Sequence, residues 1–358
     1  MDISGYSSQL QKLFKKKAIA IGGRIAIHTK KGVFEGMLMP KSHGDPENVI
    51  LKLDNGYNIG IASKGARFEK KKQPPAAKKS AFKKYSIDPS KPTLAIISTG
   101  GTVASRIDYH TGAVYPLESS EEIVASIPEL ADICNIRAQT AFSIYSGDMV
   151  PAHWKALAQA VHKEITKGVD GVIIIHGTDT LAYTAAALSF MIQNLPVPIL
   201  IVGSQRSSDR PSSDAAMNVV CAARFMTKTD FVGVAVCMHG STNDDYCLIH
   251  SGVHIKKMHT SRRDTFRSIN VLPYAKVHAN GTIEQLRPYP TKSGKKPTLS
   301  ALFDDRTVLL KFYPGFNPQL LDAAKPKALV IEGTGLGNGP VDVIDKHTLH
   351  HQKTIDTI

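Results

Sequence analysis

Hydrophobic and polar positions follow two different patterns along this chain. From Arg24 to Ala62 they alternate in short runs, Arg24 to Thr29, Gly32 to Met39, Asn48 to Leu53 and Tyr57 to Ala62. The turn signals Lys31-Gly32, Gly44-Asp45-Pro46 and Asn55-Gly56 separate them. A period of two gives a strand one buried face and one wet face, so residues 1–62 are expected to form a small β-barrel. After Pro92 the apolar runs lose that alternation: Leu94 to Ile97, Val172 to Ile175, Ile199 to Val202, Val232 to Val236, Val308 to Leu310 and Ala328 to Ile331. Such runs suit strands covered on both faces. Helical segments over Pro151 to Thr166 and Thr180 to Gln193 lie between several of them, which predicts an α/β class with a doubly wound parallel sheet. The expected boundaries are an accessory domain 1–62, a linker 63–92, a sheet domain 93–290, and the start of a smaller, incomplete C-terminal α/β domain at 291–358.

The linker assignment rests on charge. Residues 63–92 hold nine lysines and Arg67 against Glu69 and Asp88, with Pro74-Pro75 in the middle. That reads as a solvated tether, with contact to a phosphate backbone as the alternative. The whole chain carries +13, which favours polyanionic partners without specifying one. At 358 residues it is long enough for more than one core. No apolar run reaches 18 residues, and the basic Lys15-Lys16-Lys17 cluster is not followed by a secretory core, so a cytoplasmic location without membrane contact is expected. Cys134, Cys221, Cys237 and Cys247 lack C-x-x-C spacing and are expected to be core thiols.

Chemistry in a doubly wound sheet gathers in the loops leaving the carboxyl ends of strands. Three such loops here are small, polar and rich in hydroxyls. Ser98-Thr99-Gly100-Gly101-Thr102 holds a hydroxyl beyond two glycines, although Thr102 read alone would also serve to cap a helix. His176-Gly177-Thr178-Asp179-Thr180 leads into a helix whose free N–H groups suit a carboxylate or an oxyanion. Asp179 read alone is an N-cap, and His176 is a satisfied buried histidine without a role. The third loop runs from Gly203 to Asp214. The basic stretch Lys256 to Arg263 reads by itself as a solvated face. His239, Asp244, Asp245, His250, His254 and His259 show no familiar metal-ligand spacing, so no metal is expected.

The order of these motifs is more specific than any one of them. Thr99-Gly-Gly-Thr102, Ser146-Gly-Asp-Met149, His-Gly-Thr-Asp-Thr180 and Gly203-Ser-Gln-Arg together resemble the asparaginase/glutaminase family from about Thr93 onward. The Arg206 to Asp214 run, Met258 to Asn270, and the β-rich N-terminal region extend the resemblance to the D subunits of archaeal glutamyl-tRNA(Gln) amidotransferases. The resemblance implies Thr102 as nucleophile, with Thr178, Asp179 and Lys257 as the proton relay; which threonine attacks stays open. Lys257 is matched because the family lysine stands nine residues before a phenylalanine, here Phe266. Ser146 is implied to bind the substrate α-carboxylate and the Ser204 carbonyl to lie near the scissile amide. A mobile-loop tyrosine is implied, Tyr109 or, preferred, Tyr115. Asn338 is implied to reach across a subunit interface.

Gly147 departs from the family, which carries a side chain there; its loss enlarges the substrate pocket or removes a contact. The family also continues past the Gly333-to-Asn338 segment for several dozen residues. The implied activity is release of ammonia from glutamine or asparagine for conversion of Glu-tRNA(Gln) to Gln-tRNA(Gln). No cofactor is expected in this subunit; ATP and Mg are expected in the step of the amidotransferase's partner E subunit, and a homodimer within a heterotetramer is the expected assembly. The rival readings are a free-standing L-asparaginase and a non-catalytic binding module with the same fold.

Overall fold

The computed structural model describes residues 3, 5–41, 45–53, 58–72, 86–100, 105–107, 114–116, 120–206, 212–319 and 326–357, with the backbone alone at 105–107, 114–116, 120, 121 and 124. Helix α1 (Ser8–Lys16) opens the chain. Ser7 caps it, its side chain accepting the Leu10 N–H, while Lys15 and Lys16 meet the negative end of the helix dipole. The strands β1 (Arg24–Thr29), β2 (Gly32–Leu38), β3 (Asn48–Lys52), β4 (Asn58–Ala62) and β5 (Arg67–Lys70) follow. They form one antiparallel sheet in the order β4-β3-β2-β1-β5. Leu10 and Phe14 of the helix pack on Ile25, Ile27, Leu38, Val49, Leu51 and Phe68.

Strand β5 comes from the stretch read as a linker. Its single apolar residue, Phe68, is 3% exposed and sits opposite Ile27 in the ladder. One phenylalanine among lysine, arginine and glutamate is too weak a pattern to announce a strand, yet it fills the gap beside Phe14 edge to face.

Beyond Pro92 the strands are β6 (Thr93–Ser98), the hairpin β7 (Ser105–Ile107) and β8 (Val114–Pro116), β9 (Asn135–Thr140), β10 (Gly171–Ile175), β11 (Ile192–Gln193), β12 (Pro198–Val202) and β13 (Gly233–His239). Then come β14 (Tyr246–Ser251), β15 (Ile255–Lys257), β16 (Phe266–Ser268), β17 (Ala275–His278), β18 (Ile283–Gln285) and β19 (Thr298–Leu299). The main sheet has eight strands in the order β18-β17-β14-β13-β12-β10-β6-β9. It is parallel from β9 to β13. The antiparallel extension β14, β17 and β18 was not legible as part of the sheet.

Helices cover both faces of this sheet. Leu94, Ile96, Ile173 and Ile175 pack with α6 (Ala215–Lys228) and with Ile123 of α2 (Ser120–Ser126) and Leu130 of α3 (Leu130–Ile133). The alternate residues Ala95, Ile97, Val172 and Ile174 pack with α4 (Pro151–Thr166) and α5 (Leu181–Met191). Successive side chains of a strand point to opposite faces, so two apolar layers require the uninterrupted runs seen in the sequence. All four cysteines are buried thiols, and burial pushes Cys134 up to about 12.

Residues Met1–Ala301 form one compact unit and Leu302–Ile358 a second. In the second, β20 (Thr307–Lys311) and β21 (Ala328–Glu332) pair in parallel. Leu310, Phe312 and Phe316 make its small core. Its apolar strands were expected to be buried on both faces, but Leu309, Val330 and Ile331 are 60%, 54% and 42% exposed. A sheet of two strands has too little area to cover both of its own faces.

Candidate active site

The carboxyl ends of β10 and β12 lie side by side, Ile175 opposite Val202. The loops leaving them, 176–180 and 203–206, are therefore neighbours by register. Antiparallel β15 and β16 form a hairpin in which Lys257 faces Phe266 across the ladder. Phe266 is fully buried in the α4/α5-side core, so the nine-residue spacing is the geometry of a hairpin whose far strand is anchored. The near strand holds the lysine over the other two loops.

There Lys257 Nζ donates to Thr178 Oγ1 at 2.8 Å and to Asp179 Oδ1 at 2.7 Å. Asp179 is not the cap of α5: Thr180 holds that position, and the Thr180 hydroxyl donates to the Ser146 carbonyl at 2.7 Å. The lysine side chain is 15% exposed and the aspartate 55%, so the pair sits at the wall of an open site. The Thr178 methyl is seated by a missing side chain, since a Cβ on Gly203 would stand 2.8 Å from Thr178 Cγ2.

The 203–206 loop is held from beneath by a buried carboxylate. Asp214 Oδ1 accepts the Ser204 hydroxyl at 2.9 Å and the Arg206 N–H at 3.0 Å, while Oδ2 accepts the Gln205 N–H at 3.1 Å and the Asn218 amide at 3.2 Å. Asn218 also donates to the Gly203 carbonyl at 3.0 Å, which leaves its Oδ1 to accept from His239 Nδ1 at 2.6 Å. His239 Nε2 faces Asp244 Oδ1 at 3.0 Å, and Arg263 donates to the same oxygen at 2.5 Å. His239 and Asp244, residues with metal-ligating chemistry, are thus engaged with each other and with Arg263.

His176 is fully buried, and desolvation pushes it down to about 4. Its Nδ1 lies 2.7 Å from the Gly177 carbonyl, which only accepts, so Nδ1 carries the proton. Its Nε2 then accepts the Thr184 hydroxyl at 2.8 Å, and Trp154 donates to that hydroxyl at 2.9 Å. His176 is thus the satisfied buried histidine that the sequence suggested, with its Nδ1–H on the carbonyl of the Gly177–Thr178 peptide.

Ser146 is 7% exposed in a short 3-10 turn, with its Oγ only 2.6 Å from where a Gly177 Cβ would stand. Gly147 is open: a Cβ there would meet nothing nearer than Tyr145 Cδ1 at 3.7 Å. Gly100, with φ of +100°, brings its backbone against Ile144, where a Cβ would stand 2.6 Å from the Ile144 carbonyl oxygen. Thr102 and Tyr109 lie outside the described residues, and Tyr115 is described only by its backbone pairing with Arg106. Asn338 lies in the second unit, where its backbone closes a turn with Thr334. Residues 207–211 of the third motif lie outside the described residues as well.

Sequence reasoning overlooked Gln205, Asp214, Asn218 and Thr180. Thr180, Gln205 and Asp214 stand within quoted motifs, and their position just beyond buried parallel strands was the available signal.

Comparisons with known proteins agree with this architecture. Residues 93–289 match the family model described as Asparaginase, N-terminal, and residues 19–70 match the GatD N-terminal domain. The D subunit of the glutamyl-tRNA(Gln) amidotransferase of Pyrococcus furiosus is 46% identical over 349 residues, covering 94% of this chain and 79% of that one. Its counterpart in Methanopyrus kandleri is 43% identical, covering 94% and 76%. Among solved structures, the thermostable L-asparaginase of Thermococcus kodakarensis superposes with a TM-score of 0.62 at 26% identity, covering 74% of this chain and 86% of that one. L-asparaginase I of Vibrio cholerae, at 24% identity and a TM-score of 0.61, covers 75% of this chain and 77% of its own and shares the fold.

Proposed function

The chain belongs to the asparaginase family, and from that premise we propose that it is the amide-hydrolysing subunit of a tRNA-dependent amidotransferase. It releases ammonia from glutamine or asparagine for conversion of Glu-tRNA(Gln) to Gln-tRNA(Gln). The relatives named as D subunits and the N-terminal domain of residues 19–70 favour this over a free-standing asparaginase. The observation that carries the chemistry is the double hydrogen bond from Lys257 Nζ to Thr178 and Asp179.

In this reading the Thr102 hydroxyl attacks the amide carbon, and its proton passes to Lys257 directly, through Thr178 or through water. A hydroxyl is a weak nucleophile until an adjacent base takes its proton. The C–N bond breaks as ammonia leaves with that proton, and water then cleaves the acyl-threonine ester to release the acid. Asp179 orients the lysine and balances its charge. Ser146 receives the substrate α-carboxylate, the Ser204 carbonyl faces the amide NH2, and Tyr115 of β8 serves as the tyrosine that the family resemblance implies.

The finer assembly belongs to the same proposal. The partner E subunit phosphorylates the tRNA-bound glutamate with ATP and Mg, no cofactor resides in this subunit, and two copies pair with Asn338 crossing between them. A cytoplasmic location fits; no helix among the described residues is long and apolar enough to cross a membrane. Ammonia release from glutamine and from asparagine, measured with and without the partner and charged tRNA, tests the reading. No release under any condition leaves only the binding module. Release that neither addition stimulates favours the free-standing asparaginase. Light scattering at high micromolar concentration tests the pairing, which a monomer overturns.

A further inference from the structure

We infer that Gln205 is a positioning residue that sets the direction of the hydrogen bond between Thr178 and Lys257. This rests on the amide-hydrolysis reading of the site and adds a residue to it. The Gln205 side chain bridges two of the loops that build the site. Its Nε2 donates to the Arg262 carbonyl at 2.9 Å. A carbonyl only accepts, so the amide has one orientation and its Oε1 must face Thr178 Oγ1, 2.8 Å away. Oε1 also only accepts, so the Thr178 hydroxyl proton lies on the Gln205 side.

The consequence falls on Lys257. With its proton committed to Gln205, Thr178 offers Lys257 a lone pair, and the 2.8 Å contact between them is donated by the lysine. An amide oxygen is far too weak a base to take that proton away. Thr178 is therefore held as an acceptor, with a lone pair left over for a neighbouring hydroxyl or water, so of the routes open to the nucleophile's proton the direct and water-borne ones to Lys257 remain and the one through Thr178 closes. This ordering disfavours Thr178 as the attacking nucleophile while Gln205 is in place. Without Gln205 the hydroxyl rotates freely, and its proton can turn toward the lysine and oppose the contact. The Gln205 backbone is itself anchored, its N–H donating to the buried Asp214, so the side chain reaches Thr178 from a fixed base.

Two near-isosteric replacements separate this role from packing. Gln205→Met keeps the volume and removes the acceptor; Gln205→Glu keeps the acceptor and places a carboxylate within two hydrogen bonds of the Lys257 ammonium. Thermal unfolding first establishes that each variant folds. Gln205→Met is expected to lower kcat about tenfold or more with KM within about threefold, because the ordering is lost and substrate contacts are not. Gln205→Glu is expected to retain more activity than Gln205→Met and to move the pH–rate profile upward by about one unit, since a nearby carboxylate favours the charged lysine. Amine-selective labelling of Lys257, read by mass spectrometry, needs no turnover and is expected to slow in Gln205→Glu. Parental kcat in a folded Gln205→Met overturns the inference. So does a Gln205→Glu variant with neither a shifted profile nor slower labelling, whether or not Gln205→Met folds. If the parent itself releases no ammonia, the hydrolytic reading fails, and the labelling experiment alone decides on Gln205.

Discussion

Lys257 and Asp179 stand 78 positions apart in the chain, and the lysine Nζ lies 2.7 Å from the aspartate Oδ1. Asp179 sits in the loop that follows a central parallel strand, Lys257 on a hairpin inserted between the antiparallel strands β14 and β17. Folding alone brings the two together. Single replacement of Thr102, Thr178, Asp179 or Lys257 by alanine is expected to lower ammonia release by about a thousandfold or more while the fold survives, because residues acting as one unit do not contribute additively. A folded Lys257→Ala variant with near-parental turnover would remove the lysine from the assignment.

The buried Asp214 carboxylate collects four donors from the loop and from α6. Asp214→Ala removes the shared acceptor of the Gln205 and Arg206 N–H groups, while Ser204 and Asn218 keep their backbone carbonyl partners, and is expected to destabilise the chain by about 1–3 kcal/mol, with a larger KM as the Ser204 loop loosens. Urea unfolding and steady-state kinetics measure both. Parental stability would mean that water replaces the carboxylate at no cost.

A methyl group at position 203 meets the Thr178 methyl at 2.8 Å. Gly203→Ala is therefore expected to rotate Thr178 away from Lys257 and lower kcat about tenfold or more, at a cost of about 1–3 kcal/mol in stability because the new methyl also stands 3.1 Å from the His176 carbonyl oxygen and from Leu181 Cδ1. Crystallography of the variant checks the rotation directly; an unmoved Thr178 with parental kcat contradicts it.

The His176 ring, pushed down to about 4 by burial, stays neutral across the physiological range. Its folded value lies below the unfolded value near 6.5, so the unfolded chain takes up the proton first. The stability this contributes is complete above about pH 6.5 and is lost as pH falls toward 4, an effect of about 3 kcal/mol. His250, pushed down to about 3, extends the same loss to lower pH. NMR titration is expected to show no His176 protonation above about pH 5 and a proton on Nδ1. A ring titrating near 6.5 in the folded chain would exclude the hydrogen-bonded arrangement with Gly177 and Thr184.

Charge is segregated along the chain: nineteen of the 44 lysines and arginines but seven of the 31 acidic residues precede Thr93, a net +12 of the total +13. Lys78, Lys79, Lys83 and Lys84 lie outside the described residues, whereas Lys71 pairs with Glu69 beside strand β5. If RNA is contacted by this subunit, the contact runs through this N-terminal charge. Neutralising Lys70, Lys71, Lys72, Lys78 and Lys79 is expected to flatten the log–log salt dependence of tRNA affinity, measured with the partner present, by about one unit per contacting lysine. Glutamine hydrolysis without tRNA should not change. An unchanged salt slope removes the case for RNA contact through these lysines.

Much of this was legible in the sequence, because period and order are local properties. Uninterrupted apolar runs announced strands covered on both faces, and Pro151–Thr166 is the helix that its spacing predicted. The hydroxyl-rich loops could be placed at strand ends, and the motif order pointed to the family. Contacts between distant segments were decided by the tertiary structure. Strand β5 exists because Phe68 fills a space beside Phe14 that its charged neighbours do not advertise. Asp179, alone a plausible helix cap, is turned instead toward a lysine that only the hairpin brings near. Gln205 and Asp214 read as ordinary loop polars until β10 and β12 align in parallel and bring their two loops together. Local sequence sets which backbone shape each segment prefers; which donor meets which acceptor is set by register and packing, where burying a polar group unpaired costs more than any local preference can offset.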